Sequence, residues 1–151
     1  MQLPQTPLEM VAGQLDWAHK NINNNLDFLP ADKLGWKPAP EAKSVLEIIN
    51  HAAGTVNAFT AAVAGSARAE LPHAHDRESA KSLVTQVIEA HQKVVLAITP
   101  AEAEQTVTTP VGELPRAIAA GLPVVEMINH HGQITYVQSL LGDSESHLII
   151  A

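Results

Sequence analysis

Glu126 and His130 stand four residues apart in the segment Glu126-Met127-Ile128-Asn129-His130-His131-Gly132-Gln133, inside a stretch whose apolar spacing reads as helix. Side chains at i and i+4 lie one above the other on a helix face, so this carboxylate and this imidazole can point at one atom held between helices. His130 falls three residues after Met127 and four before Ile134, on the stripe that must face a core, with Glu126 one turn away on its flank. A buried carboxylate is normally paired, protonated or metal-bound, because stripping a buried charge of its partner costs about 3–5 kcal/mol. Earlier in the chain, His51 lies three residues after Ile48 and four before Thr55, beside a second inward stripe. If those two helices pack together, His51, Glu126 and His130 can meet as three ligands inside the bundle and leave a coordination position for water or substrate, as catalytic metal sites do. The spacing equally admits a plainer arrangement, with Glu126 reaching solvent, His130 a neutral core histidine bonded to a carbonyl, and His51 unrelated.

The remaining polar candidates carry less chemistry. Gln133, three residues after His130, can orient a ligand or a bound water, as amides behind a metal ligand do, or simply tie two helices together. His91 sits on an apolar stripe and reads as a satisfied core residue, His73 and His75 fall in a loop where solvation is expected, and His19 and His147 have no evident role. Trp17 and Trp36 read as core in a chain with few aromatics.

Four helical blocks must position these groups. In the first, Leu8, Val11, Leu15, Ala18, Ile22, Leu26 and Leu29 recur at threes and fours, the period of a helix with one buried stripe. Thr6, Pro7 and Glu9 fit a capping box with proline at the first helical position, and Pro30 ends the helix. Residues 34–40 (LGWKPAP) form a connector, since two prolines disfavour helix there. Ser44 with Glu47 caps a second helix striped by Val45, Ile48, Ala52, Val56, Phe59 and Val63 and closed by Gly65. Residues 66–79 read as a surface loop, followed by a third helix striped by Val84, Val87, His91, Val94 and Ile98. The run Gln105–Thr109 reads as loop, because Pro110 argues against a central strand. A last helix spans Pro115 to Leu141 with Ile118, Leu122, Val125, Met127, Ile134, Val137 and Leu141 inward, and Pro123 is expected either to kink it or to mark its effective start. Four helices joined by loops predict an all-α four-helix bundle, one domain over residues 1–151.

Composition narrows the chemistry. Nine Lys and Arg against sixteen Asp and Glu give a formal charge of -7, the wrong balance for tracking phosphates, so no nucleic-acid partner is expected. With no cysteine in the chain, disulfides, thiolate ligands and a protein-borne thiol nucleophile drop out together, and any metal must sit on His and carboxylate. The start Met1-Gln2-Leu3-Pro4-Gln5-Thr6 lacks the basic and apolar run of a secretory signal, and no segment approaches the ~20 apolar residues of a membrane span. A cytoplasmic protein without a membrane partner is the expectation.

Taken together, Leu34-Gly35-Trp36-Lys37-Pro38-Ala39-Pro40 leading into Ser44-Val45-Leu46-Glu47-Ile48-Ile49-Asn50-His51, and His130-His131-Gly132-Gln133-Ile134 followed by Leu140-Leu141-Gly142, resemble the DinB-like (DinB/YfiT) superfamily of four-helix metal proteins. The first passage looks like its Trp-x-Pro connector and first metal histidine, the second like its His-Arg-Gly-Gln segment and terminal Leu-Gly. Many members carry His-x-x-x-His before that Gly-Gln, whereas this chain has Glu126 and His130; the resulting His/Glu/His set is similar to that of mycothiol-dependent maleylpyruvate isomerases. His131 stands where arginine is usual. The resemblance implies a divalent ion on His51, Glu126 and His130, with Zn²⁺ favoured and Ni²⁺ or Fe²⁺ also suited to such ligands. It further implies a small-molecule substrate, a low-molecular-weight thiol as cosubstrate in an S-transferase type of reaction, and pairing into a homodimer. A hydrolase using metal-activated water, or a metal- or ligand-binding dimer without catalysis, are the alternatives.

Overall fold

A computed structural model of the chain describes residues 3–150; Met1 and Gln2 of the amino-terminal stretch read above lie outside the described residues. Four long helices dominate: α1 (Pro7–Phe28), α2 (Val45–Ala64), α3 (Arg77–Leu96) and α5 (Arg116–Leu140), with the single-turn α4 (Pro100–Ala103) and two short strands, β1 (Thr106–Thr109) and β2 (Gly112–Pro115), between the last two. The all-α bundle is as expected. No helix among the described residues is long and apolar enough to cross a membrane.

Local signals set the helix ends. Thr6 accepts from the Glu9 amide and Ser44 from the Glu47 amide, each glutamate closing its box by reaching back to the cap backbone. At the far end of α2, Gly65 adopts φ 66°, the left-handed conformation that lets its N–H meet the carbonyls of Ala61 and Ala62. One boundary departs from the expected loop 66–79: α3 already starts at Arg77, because Asp76 caps it with Ser79 as box partner in place of Glu or Gln.

Each of α1 and α2 packs against both α3 and α5, whereas α3 and α5 face each other across the diagonal. Side-chain pairs fix the directions. His131 of α5 bonds Asn25 of α1 and Gly121 lies against Val11, so α1 and α5 run parallel; Lys81 meets Asp27 and Gln92 meets the Ala12 carbonyl, so α1 and α3 run antiparallel. The consequence is an up-down-down-up bundle in which the segment between α2 and α3 must return along α2. It does so clipped in place: Asn57 exchanges two hydrogen bonds with the Ala69 backbone, and Asn50 does the same with Ala74. The core between the helices holds Leu15, Ile22 and Leu26 from α1, Ile49 and Val56 from α2, Leu83 and Ile88 from α3, and Met127 and Ile134 from α5.

Two sequence expectations are corrected. Residues 106–109 are not loop: they pair antiparallel with 112–115, Thr109 opposite Gly112. Pro110 is tolerated because it lies in the turn of a two-stranded hairpin, where no ladder bond is lost. The Thr109 hydroxyl donates to the Gly112 carbonyl and accepts from the Val111 amide, closing that turn. In α5, Ile118 and Val125 point outward, 56% and 64% exposed, and Ala119, Ala120, Pro123 and Val124 take the inward places. Leu122 and Leu141 are half-buried. Small residues are needed inside this turn because a side chain from α3 crosses the bundle there.

Candidate metal centre

The antiparallel pair α2 and α5 brings together three groups from distant parts of the sequence. His51, Glu126 and His130 each offer one donor atom, and these atoms lie within 4.8 Å of one another. His130 Nε2 is 3.1 Å from Glu126 Oε2, and the His51 and His130 rings meet edge to face with centroids 5.2 Å apart. Ligand atoms of a tetrahedral ion with bonds near 2.0–2.1 Å sit about 3.3 Å apart. The Glu126–His130 pair already has that spacing, and the donor of His51, the exposed member, lies within 4.8 Å of both. The group can therefore hold a metal ion.

Proton counting at His130 supports the fit. Its Nδ1 lies 3.0 Å from Gln133 Oε1 while its Nε2 faces the Glu126 carboxylate. Both neighbours are acceptors, and a neutral imidazole has a single N–H. With that proton on Nδ1 and donated to Gln133, the Nε2 lone pair and a carboxylate oxygen face the same point, a place that either a second ring proton or a metal cation fills. Of the two roles open to Gln133, its contact is with His130 on the same helix and not with a second helix.

The expected burial is corrected. Glu126 and His130 keep 36% and 6% of their side chains exposed, and His51 is exposed outright, so the centre is not enclosed in the core but opens at the seam of α2 and α5. The reason is the phase of α2: Ile48, Ala52 and Val56 occupy the inward stripe, and His51, one position before Ala52, is turned towards the rim.

Other histidines go elsewhere. His131 leaves the centre and reaches α1, where its Nε2 donates to Asn25 Oδ1 at 2.8 Å and its ring meets the edge of Trp17. At the position where arginine was expected, the imidazole ties α1 to α5. His19 bonds the Thr85 hydroxyl, and His147 bonds Asp143 and stacks on Phe28. His91 is fully buried and satisfied, as its place on the stripe implied.

Burial pushes the imidazoles of His91 and His131 below the ordinary histidine value, because the charged form loses its hydration. Folded-state pKa values below the unfolded value near 6.5 mean that, as pH falls through about 6.5, the unfolded chain takes up protons that the folded one refuses. Stability is therefore full at pH 7.5 and declines towards pH 5.5, with a slope of at most about 1.4 kcal/mol per pH unit for each such histidine. Urea melts at the two pH values should show that loss, and His91→Gln should flatten the slope; a profile unchanged by the substitution would assign the pH dependence to other groups.

Comparison with known proteins places this geometry. A sequence model of the DinB superfamily matches residues 14–134, a span containing all three candidate ligands. No curated protein matches the sequence. Among solved structures, a DinB-like protein from Bacillus subtilis superimposes with TM-score 0.72 at 13% identity, over 90% of this chain and 94% of that one. A DinB-like protein from Bacillus cereus gives 0.74 at 15% identity over 89% and 92%, and a conserved protein from Enterococcus faecalis 0.73 at 16% over 89% and 97%. At such identities the likeness shows the fold.

Proposed function

The chain belongs to the DinB superfamily, and from that premise we propose that His51, Glu126 and His130 hold a divalent ion serving a thiol-dependent transfer to a small-molecule electrophile. The observation that carries the reading is the convergence of the three donors at an edge open to solvent. Zn²⁺ suits two imidazoles and a carboxylate, and Ni²⁺ or Fe²⁺ also fit. Bound there, the ion supplies Lewis acidity that lowers the pKa of a thiol or water presented to it.

The chain's own residues do the rest. Gln133 holds the His130 ring in the tautomer whose Nε2 lone pair faces outward from α5. Glu126, 36% exposed and beside His130, offers the carboxylate oxygen of the set. His51 leaves one side of the centre open, so a substrate approaches from solvent and not through the core. The absence of cysteine from the 151 residues is consistent with a sulfur nucleophile that arrives with a cosubstrate.

The test combines elemental analysis of protein purified without added metal with a conjugation assay of small thiols against an electrophile such as a haloarene or an unsaturated acid. The expected result is about one ion per chain and turnover that needs both thiol and ion. Turnover of an ester or amide without thiol would instead indicate a hydrolase, and bound ion with neither activity would indicate a metal- or ligand-binding homodimer.

A further inference from the structure

Because α3 and α5 stand on the bundle diagonal, few of their residues approach one another, yet one polar side chain spans the gap. His91 of α3 is 0% exposed; its Nε2 lies 2.9 Å from the Ala120 carbonyl of α5 and its Nδ1 lies 2.9 Å from the Thr60 hydroxyl of α2. A carbonyl only accepts, so Nε2 carries the proton. Nδ1 then receives the Thr60 hydroxyl, whose single proton is shared with the Val56 carbonyl 2.8 Å away. Burial favours this neutral ring.

The bridge lands at a particular place. Pro123, three residues after Ala120, lies inside α5, which runs unbroken past it; it has no N–H for the Ala119 carbonyl, so that turn has one backbone bond fewer. Ala119 and Ala120, both 0% exposed, leave room for the imidazole. Glu126 follows six residues after Ala120, about 9 Å further along the axis, so Pro123 lies between the bridged turn and the Glu126–His130 pair. On α2, Thr60 and His51 occupy the corresponding two levels, in the opposite direction.

We propose that His91 is a positioning residue for the metal centre: by bonding the Ala120 turn of α5, where Pro123 removes a backbone bond, and Thr60 of α2 together, it sets the distance from the Glu126–His130 pair to His51. The proposal rests on the metal reading above. Its content is that a donor directed at Ala120 O, more than an apolar filler, holds the ligands in register.

The experiment compares His91→Met, which fills the space without a donor, with His91→Gln, whose amide N–H can reach the same carbonyl. Circular dichroism checks folding, and Co²⁺ titration followed by visible absorption reads affinity and ligand geometry. The Gln variant should match wild type in spectrum and affinity, whereas Met should bind about tenfold more weakly or worse, with a shifted band. Thr60→Val, which removes the hydroxyl and keeps the shape, should fall between them and serves if the Met variant does not fold. A Met variant with wild-type affinity and spectrum, or a Gln variant as impaired as Met, would overturn the brace. A wild-type chain that takes up no Co²⁺ would overturn the metal reading, and the brace with it.

Discussion

Alanine in place of His130 is expected to weaken binding of a divalent ion by more than about 100-fold while the chain stays folded. Loss of a partner behind a ligand already costs about 10–100-fold, and His130 is itself a proposed ligand, contacted by both Gln133 and Glu126. The fold should survive because Met127 and Ile134, one turn to either side, remain fully buried in the core. Graded effects are expected around it: Gln133→Ala within about 10–100-fold, since only the orientation of the ring is lost, and Glu126→Gln a larger loss, since the charge goes while the shape remains. Calorimetric titration with Zn²⁺ in the presence of a competing chelator would measure all three. Equal affinity in wild type and His130→Ala would mean that the ion sits elsewhere.

Asn25→Leu is expected to cost about 2–4 kcal/mol of stability, a large effect for a single polar residue. Asn25 is 2% exposed and stands in the middle of a directed chain of hydrogen bonds. His131 Nε2–H donates to its oxygen, its own amide donates to Gln138 Oε1 at 2.6 Å, and the Gln138 amide donates to the Glu145 carbonyl. Leucine fills the space but strands a buried donor on His131 and a buried acceptor on Gln138, each worth about 1–3 kcal/mol when left unpaired. The carboxy-terminal segment should loosen with it, since beyond Glu145 it is held by Asn24 to the His147 carbonyl and by Asn21 to both backbone groups of Ile149. Urea denaturation and amide exchange over residues 145–149 would record the two effects together. A change below about 0.5 kcal/mol, the size of an ordinary surface substitution, would contradict the role assigned to this chain.

The helices and their caps were legible because they are local. Thr6 with Glu9 and Ser44 with Glu47 carry their whole signal within four residues, and the stripe of α2 and that of α1 from Leu15 onward match the buried positions, Leu8 and Val11 being half-buried. The start of α3 was hidden because Ser79 closes its capping box with a hydroxyl. The hairpin was hidden because four-residue strands carry little period, and Pro110 reads as a breaker unless the turn is known. In α5 the inward face was misjudged at Ile118 and Val125, since the larger residues lie outside and alanines lie inside. That inversion is tertiary in origin: the space belongs to His91, which arrives from the opposite corner of the bundle.

The candidate centre divides along the same line. The pairing of Glu126 with His130 follows from helix period alone, and Gln133 from the next turn. The approach of His51 depends on α2 and α5 packing antiparallel at one register, which the resemblance implied and spacing could not supply. Its exposure was missed because a residue one position off a stripe can lie at either the core or the rim, and the neighbouring helix decides which.

The most direct test is an anomalous-difference map from crystals of the protein grown with stoichiometric Zn²⁺ and measured at the zinc edge. The account predicts one peak per chain, bonded at about 2.0–2.2 Å to His51, to Glu126 and to the Nε2 of His130, with Gln133 still accepting from Nδ1. A peak bonded to other residues, or His51 turned away while the Glu126–His130 pair stays unoccupied, would contradict it.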